Sequence, residues 1–442
     1  LRGKDASAAL SMTCFFIYHG ILALYCTMPR YTFLFALLTS LITIQAHAQN
    51  GCTDPRATNY NPGATSNDGS CQYATTTTTL VTKTALASAV PESSGLQPAS
   101  QGLWTFNDSG NGPVLFKVDS TSGNVLQQVT ITNFGNADWE DIAADAQNLY
   151  VGDFGNNDGN RRDLKVLKVL KSAIGTTPTE SVTAQAINFR YPDQTNFNPG
   201  TNNHNFDCEA FFYSNDSLHL FTKNWADLRT KYYTIPAQPG TYVAHLKGSF
   251  NTNGLITAAD LNAAGTGAGL LGYNSSTGAT FLWLLSDFRN GQFLKGNKRR
   301  IELPNALFIG QAEGLCFVDQ YRVFISNERI VNIITVPQRL YALNTRPWLA
   351  PAVATATTAA ALAGISITPN PARQTIRVER TATTAGPLAL TLLDMQGRTM
   401  LSAKMPVGRA TQALDIAQLA AGLYLLKIES SDGIISQKVE IP

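Results

Sequence analysis

Between residues 90 and 348 the chain alternates short apolar runs with polar loops, and the runs have the lengths of strands. Leu-Trp-Thr-Phe at 103–106, Val-Leu-Phe-Lys-Val at 114–118, Asn-Leu-Tyr-Val at 148–151, Leu-His-Leu-Phe at 218–221, Phe-Leu-Trp-Leu-Leu at 281–285 and Arg-Val-Phe-Ile at 322–325 are rich in branched and aromatic residues. Gly, Asn and Asp fill the loops between them. No long helical spacing of apolar positions runs through the region, so the pattern predicts an all-β body.

The runs fall into a loose repeat. Each unit opens with an acidic residue at the head of an apolar strand: Glu92, Glu140 with Asp141, Glu209 after Asp207, Asp260, and Glu313. The second strand of each unit ends in a polar loop: Asn-Asp-Ser-Gly at 107–110, Gly-Asp-Phe-Gly-Asn-Asn at 152–157, Thr-Lys-Asn-Trp at 222–225, Ser-Asp-Phe at 286–288 and Ser-Asn-Glu at 326–328. The spacing is close to the roughly 40–50 residues of a four-stranded propeller blade. The expectation is a β-propeller of five or six blades over 90–348. A parallel β-helix, the alternative, would repeat at a much shorter interval.

The flanks read differently. Met28, Pro29 and Arg30 form a short basic start, 33–44 is an apolar run, and Ala46, His47 and Ala48 make a cleavage site before Gln49. Residues 28–48 are therefore expected to be a signal peptide, the run being too short for an ordinary membrane span. Residues 1–27 are expected to be a mis-annotated N-terminal extension ahead of Met28; the rival is an extra membrane segment, suggested by a second apolar patch at 13–25. Cys52 and Cys71 bracket a Gly-, Asn- and Pro-rich stretch and are expected to close a small module at 50–73, worth about 3 kcal/mol. Asp54, Asn61, Asn67 and Asp68 within it read as turn residues ahead of calcium ligands. Residues 74–89 form a Thr/Ala-rich linker whose end joins a sheet, and 349–364 form a second linker.

The C-terminal segment carries Ile-Ser-Ile-Thr-Pro-Asn-Pro at 365–371, Leu-Leu-Asp-Met-Gln-Gly-Arg at 392–398, Leu-Ala-Ala-Gly-Leu-Tyr-Leu-Leu-Lys-Ile at 419–428 and Gln-Lys-Val-Glu-Ile-Pro at the end. In this order the motifs resemble the type A C-terminal sorting domain of the type IX secretion system. The resemblance implies a small immunoglobulin-like β-sandwich at 365–442 that the secretion machinery reads as its partner. It further implies a cargo exported through the periplasm of a Gram-negative bacterium and then secreted or attached to the outer surface. The order of motifs in the body resembles a family of secreted bacterial propellers without an agreed activity and, more distantly, esterase-like phytase and lactonase-type propellers.

Composition narrows the function classes. Charged residues are only 14% of the chain against about a quarter in ordinary soluble proteins, and the net charge is +2. Neither figure argues for nucleic acid or an anionic membrane, and no stable membrane span is expected after processing. The run Lys298, Arg299, Arg300 reads as a solvated strand edge. Cys208 and Cys316 lie in apolar strands and read as buried thiols. The sequence has no Gly-x-Ser-x-Gly, His-Glu-x-x-His or Cys-x-x-Cys motif. Calcium-loop lookalikes at 154–165 and 249–260 lack the carboxylates such loops bring, and read as turns.

If the acidic heads occupy equivalent places in the blades, they converge on one channel mouth. Packed carboxylates repel, so some must take up protons, pair with cations or bind a metal; oxygen-only ligands favour calcium or magnesium. Candidate catalytic residues are Glu140, Glu209, Glu313 and His204. Candidate ligand-binding residues are Glu92, Asp141, Asp207, Lys223 and Arg161, with Arg162, Arg289 and Arg329 as further cations. Candidate metal ligands are Glu140, Asp141, Glu209, Asp260 and Glu313. The opposing reading is that the heads lock neighbouring blades by accepting backbone hydrogen bonds. Three functions stay open: a calcium-assisted hydrolase of phosphoesters, esters or lactones; a noncatalytic glycan- or protein-binding propeller using Trp104, Trp139, Trp225 or Trp283 as platforms; and a glycosidase using paired carboxylates.

Overall fold

The computed structural model describes residues 49–331, 335–349, 364–380, 386–394, 397–430 and 433–442, and the backbone of Cys14–Phe15, Leu24–Met28 and Tyr31–Phe35. The chain divides into two units, 1–48 and 49–442. In the first, the three short strands form an antiparallel sheet. The remainder of the expected extension, most of the signal peptide and residues 350–363 of the second linker lie outside the described residues.

Within the second unit, five sheets with antiparallel central strands follow one another along the chain, three of them extended by a parallel edge strand: Thr179–Val182 on the first, Gly240–Val243 on the second and Thr76–Thr77 on the fourth. Sheet 1 is built from Ser93–Pro98, Leu103–Asn107, Val114–Val118 and Val125–Ile131. Sheet 2 takes Trp139–Ala144, Asn148–Asp153, Lys165–Leu170 and Gln185–Arg190. Sheet 3 takes Asp207–Ser214, Ser217–Lys223, Thr230–Pro236 and His245–Phe250. Sheet 4 takes Leu255–Leu261, Gly267–Tyr273, Thr280–Ser286 and Asn297–Glu302. Sheet 5 takes Gln311–Phe317, Arg322–Glu328 and Arg339–Asn344. The first strand of each sheet packs against the first strands of its two neighbours, and sheet 5 returns to sheet 1, so the five close a propeller-like ring. Their apolar faces form the core between sheets: Phe106, Trp139, Ile142 and Val151 between sheets 1 and 2, and Phe212, Phe221, Ile256 and Phe281 between sheets 3 and 4.

The stretch expected as a linker at 74–89 builds edges instead. Thr76–Thr77 pairs in parallel with Ile301 and Glu302, and Val81–Ala85 supplies the missing fourth strand of sheet 5 against Arg339–Asn344. A strand from the start of the body thus completes its last sheet, which ties the ring shut and removes an open edge.

All five first strands share one irregularity. Each carries an extra residue opposite its second strand, at Gly95–Leu96, Glu140–Asp141, Glu209, Thr257 and Glu313. A bulge at this place turns the residue out of the pleat and toward the axis. The next layer is held by a single carboxylate. Asp141 is completely buried; its Oδ1 accepts from Ile142 N, and its Oδ2 accepts from Phe211 N of sheet 3 at 3.0 Å and Ala259 N of sheet 4 at 3.1 Å. Asp260 does the same between sheets 4 and 5, accepting from Phe317 N at 2.7 Å. Ser94 Oγ donates to Glu140 O, and Thr257 Oγ1 to Ala312 O.

The Cys52–Cys71 disulfide forms, and the module it closes sits on sheet 4. Asn67 Nδ2 donates to Asp287 and Asn297, Lys298 Nζ donates to Gly69 O, and the Arg299 guanidinium lies 4.9 Å from the Tyr73 ring centre. Lys298 and Arg299 are therefore half-buried partners of the module, taken up by a turn carbonyl and the Tyr73 ring, which corrects the solvated edge expected from sequence; half-buried Arg300 stays with the ring of sheets, donating to Glu302 and Thr252 O. Asp54 is spent on Arg56 and Tyr73, while Asn61, Asn67 and Asp68 cap local backbone N–H groups. Arg56 also donates to Pro347 O, so the module grips the segment that leaves the ring.

At the C-terminus two further sheets face each other. One holds Ile365–Thr368, Thr375–Arg380 and Thr411–Asp415; the other holds Leu388–Asp394, Thr399–Met405, Gly422–Ser430 and Gly433–Ile441. Val378, Leu390, Leu392, Leu426, Ile428 and Val439 fill the space between them.

Two stability predictions follow from these ties. Replacing Asp141 with Ala leaves three buried N–H groups without an acceptor and should cost about 3 kcal/mol or more in urea unfolding. Replacing Cys52 and Cys71 with Ser should lower stability by about 3 kcal/mol and make 49–73 the first site of limited proteolysis; unchanged cleavage would show that docking does not need the bridge.

Candidate functional site

The ring brings acidic side chains to one mouth, where first strands begin and second strands end. Three bulge residues, Glu140, Glu209 and Glu313, reach it from sheets 2, 3 and 5, each 5% exposed or less. The equivalent residues of sheets 1 and 4 are Gly95 and Thr257. Asp260, expected as the head of sheet 4, lies three residues beyond the bulge and is a backbone acceptor. Asp141 likewise belongs to the locking layer and not to the mouth.

Second-strand ends and preceding loops complete the site. Asn136 Nδ2 donates to the carbonyls of Asn107 and Asp108, both at 3.0 Å, and Asn136 Oδ1 accepts from Trp139 N. This small clamp carries the Asp108 turn of sheet 1 to the entry of sheet 2. One carboxylate oxygen from each of Asp108, Asp138 and Glu140 consequently lies within 4.8 Å of the other two. Among the described residues no donor hydrogen-bonds the Glu140 carboxylate. Gly155 borders this pocket on one side: a Cβ there would stand 2.0 Å from Glu140 Oε1 and 2.4 Å from Asp138 Oδ2, so a larger residue would push these carboxylates from their places.

Across the mouth, Lys223 Nζ lies 3.1 Å from Glu209 Oε2, and the same ammonium faces the rings of Trp225 and Tyr273 at 5.0 and 5.7 Å. Glu313 Oε1 accepts from Gln311 Nε2, whereas its Oε2 is buried with no partner. Glu328, at the end of the second strand of sheet 5, stands beside it. Glu92 accepts from Asn111 Nδ2 at 2.6 Å.

The remaining sequence candidates are bracing groups. Asp207 accepts from Asn156 N and from Trp225 Nε1, and so fixes two walls of the mouth. Arg161 bridges Asp153 and Asp163 and donates to Gly155 O, which holds the Gly155 loop in place. His204 is not placed as an acid or base: its Nδ1 accepts from Phe206 N, so the proton sits on Nε2 and is donated to Asn157 O. Trp139 is completely buried, and Trp104 and Trp283 face other surfaces of the sheets; only half-buried Trp225 borders the mouth. A cleft of about 340 Å³ between the disulfide module and the ring is lined by Arg56, Asp287 and Tyr321 and by none of the mouth carboxylates.

The electrostatics are those of carboxylates crowded out of water. Burial raises Asp138 to about 7, with the Asp108 and Asp207 charges adding to it and Arg161 opposing. Burial lifts Glu140 well above the usual carboxylate range, helped by Glu209 and Asp108. Glu313 is pushed up to about 7 by burial against the pull of Lys223, and Glu328 to about 9 by burial and then by the Glu313 charge. Burial opposes the Lys223 ammonium, yet Glu209 and Glu313 hold it firmly protonated. The donor set is oxygen-rich and under-compensated, which fits calcium: the ion would take oxygens of Asp108, Asp138 and Glu140.

Comparison with known proteins bears on the ends of the chain more than on this mouth. Residues 366–441 match the model of the secretion system C-terminal sorting domain. This is the family of sorting tails. The protein is accordingly a secreted or outer-surface protein of a Gram-negative bacterium, with the type IX secretion machinery as a partner. No curated protein matches. Among the described residues no helix is long and apolar enough to cross a membrane. Solved structures similar to the chain include a putative 6-phosphogluconolactonase from Bacteroides uniformis (13% identity, 75% of this chain and 90% of that one, TM-score 0.31). A second putative 6-phosphogluconolactonase, from Bacteroides fragilis, has 13% identity over 75% and 88% at TM-score 0.31. An exo-β-1,3-galactanase from Phanerochaete chrysosporium has 10% identity over 82% and 93% at TM-score 0.38. Likenesses this low carry no argument about activity.

The raised carboxyl groups make stability pH-dependent. Asp138 and Glu313 keep their protons in the folded state up to about 7, whereas the unfolded chain releases them near 4. Their contribution is full below pH 4 and is lost as pH rises through 7. His219 has the opposite sign: buried against Tyr232, it is lowered to about 4, so its contribution is present above 6.5 and lost as pH falls toward 4. Between pH 6.5 and 8 the raised carboxyl groups lose their protons, and the chelated protein should lose about 1 kcal/mol or more; calorimetry at the two pH values checks this.

Proposed function

We propose that the exported body is a five-bladed β-propeller whose acidic mouth binds calcium and hydrolyses a phosphoester, ester or lactone. The observation that carries this reading is the convergence of Asp108, Asp138 and Glu140 within 4.8 Å, with the Glu140 carboxylate lacking any hydrogen-bond donor among the described residues. Three carboxylates at that distance need a cation or shared protons to be stable. Bound calcium would polarise a phosphoryl or carbonyl oxygen of the substrate. The protein's own groups supply the rest. Glu313, a carboxyl group outside the proposed calcium ligands that burial raises to about 7, stands near the pH at which proton donation and uptake are both efficient. The Gly155 wall leaves the site accessible, and Asp207 with Arg161 keeps that wall from collapsing inward.

Noncatalytic ligand binding has one observation of its own. Trp225, pinned by its Nε1 hydrogen bond to Asp207 at 2.8 Å, is a half-exposed ring at the mouth and would serve as a stacking platform. A glycosidase is less favoured, because the three carboxylates stand closer together than the roughly 5–5.5 Å of a retaining pair.

The test is thermal melting of the intact chain with calcium and after chelation, beside a phosphoester, ester and lactone screen. Calcium at about 100 times its dissociation constant should stabilise the protein by about 3 kcal/mol. Glu140→Gln should abolish most of that gain and reduce kcat/KM by about 100-fold or more. No calcium-dependent shift would rule the hydrolase out; a shift without turnover would favour the binding reading.

A further inference from the structure

The mouth gathers carboxylates from four of the five sheets, but they do not form one uniform cluster. On one side, Asp108, Asp138 and Glu140 converge with no cationic side chain among the described residues paired to them. On the other, Glu209 and Glu313 face Lys223, which is 5% exposed. The second cation near the mouth, Arg161, is already bound to Asp153, Asp163 and Gly155 O. Lys223 occupies the place where a bulge residue of sheet 3 and a bulge residue of sheet 5 meet, as a free ion would. It is fixed there by the second strand of sheet 3 and by the faces of Trp225 and Tyr273. Glu313 Oε2 is buried without a hydrogen-bond partner, so this half of the mouth retains an unused oxygen ligand even with the ammonium in place.

We propose that Lys223 is a tethered cation standing in for a second divalent ion, and that it limits the mouth to a single calcium at Asp108, Asp138 and Glu140. The inference rests on the calcium reading above and deepens it by giving the number of ions and the residue that sets it. An ammonium carries one charge and donates hydrogen bonds, whereas calcium carries two and asks for six to eight oxygens. Removing the ammonium while keeping Glu209 and Glu313 therefore leaves a second oxygen site with an uncompensated charge. Keeping a cation there with Arg should preserve single occupancy.

Titration calorimetry of the intact chain with calcium chloride tests this. The wild type should bind one calcium per chain, Lys223→Gln two, and Lys223→Arg one. Lys223→Gln binding one ion with wild-type affinity would overturn the proposal. Should Lys223→Gln be unfolded in chelator, its circular dichroism on adding calcium decides: refolding supports the tethered-cation role, and failure to refold at millimolar calcium contradicts it. A wild type that binds none beside a Lys223→Gln that binds one would leave the role of Lys223 standing and refute the Asp108 site. If neither binds, both readings fall.

Discussion

Everything at the centre of this ring depends on how backbone N–H groups are satisfied where five strands meet without pairing to one another. First strands of neighbouring sheets pack side by side but do not share a ladder, so their inward N–H groups need acceptors from elsewhere. Asp141 is the principal one, joining its own strand to those of sheets 3 and 4 through three hydrogen bonds. Asp260 repeats the device toward sheet 5. These carboxylates are buried because every one of their bonds is made there, which is the condition under which a buried polar group is tolerated.

One residue earlier the same chemistry has the opposite outcome. Glu140 is almost as buried as Asp141 but accepts no hydrogen bond among the described residues, and two further carboxylates share its pocket. The bulge separates the two roles: it directs Glu140 along the axis to the mouth and leaves Asp141 in the plane of the ring. A protein gains no stability from crowding unpaired acids, so the arrangement is best understood as a site awaiting a counter-charge. Lys223 supplies that charge on one side, and among the described residues no ion pair supplies it on the far side. The export tail and the disulfide are in keeping with this, since both belong to a compartment outside the reducing cytoplasm.

Much of this was legible in the sequence. The strands, the repeat and the acidic heads of sheets 2, 3 and 5 follow from apolar alternation and spacing. The blade count did not, because sheet 5 borrows its outer strand from Val81–Ala85, inside a Thr-rich stretch that looks like a linker. Asp260 was mistaken for a head because the extra residue of its strand is Thr257, which shows no acidic signal. Asp108 and Asp138 are absent from the sequence candidates because Asp beside Asn, Ser and Gly reads first as turn chemistry, and only the Asn136 clamp brings the two loops together. His204 drew notice by its rarity, but both its nitrogens are engaged by the backbone. The partners of Lys298 and Arg299 include a module more than 200 residues away in sequence, beyond the reach of any local pattern.

The central claim is that the pocket of Asp108, Asp138 and Glu140 holds a divalent cation. The most direct measurement is anomalous diffraction from crystals of the protein soaked in manganese, a scattering substitute for calcium. The account predicts a single strong peak bonded to oxygens of Asp108, Asp138 and Glu140, beside Gly155, and none between Lys223 and Glu313. A mouth without a peak, or a peak only at surface carboxylates, would contradict it and leave the acidic cluster as a protonated structural core.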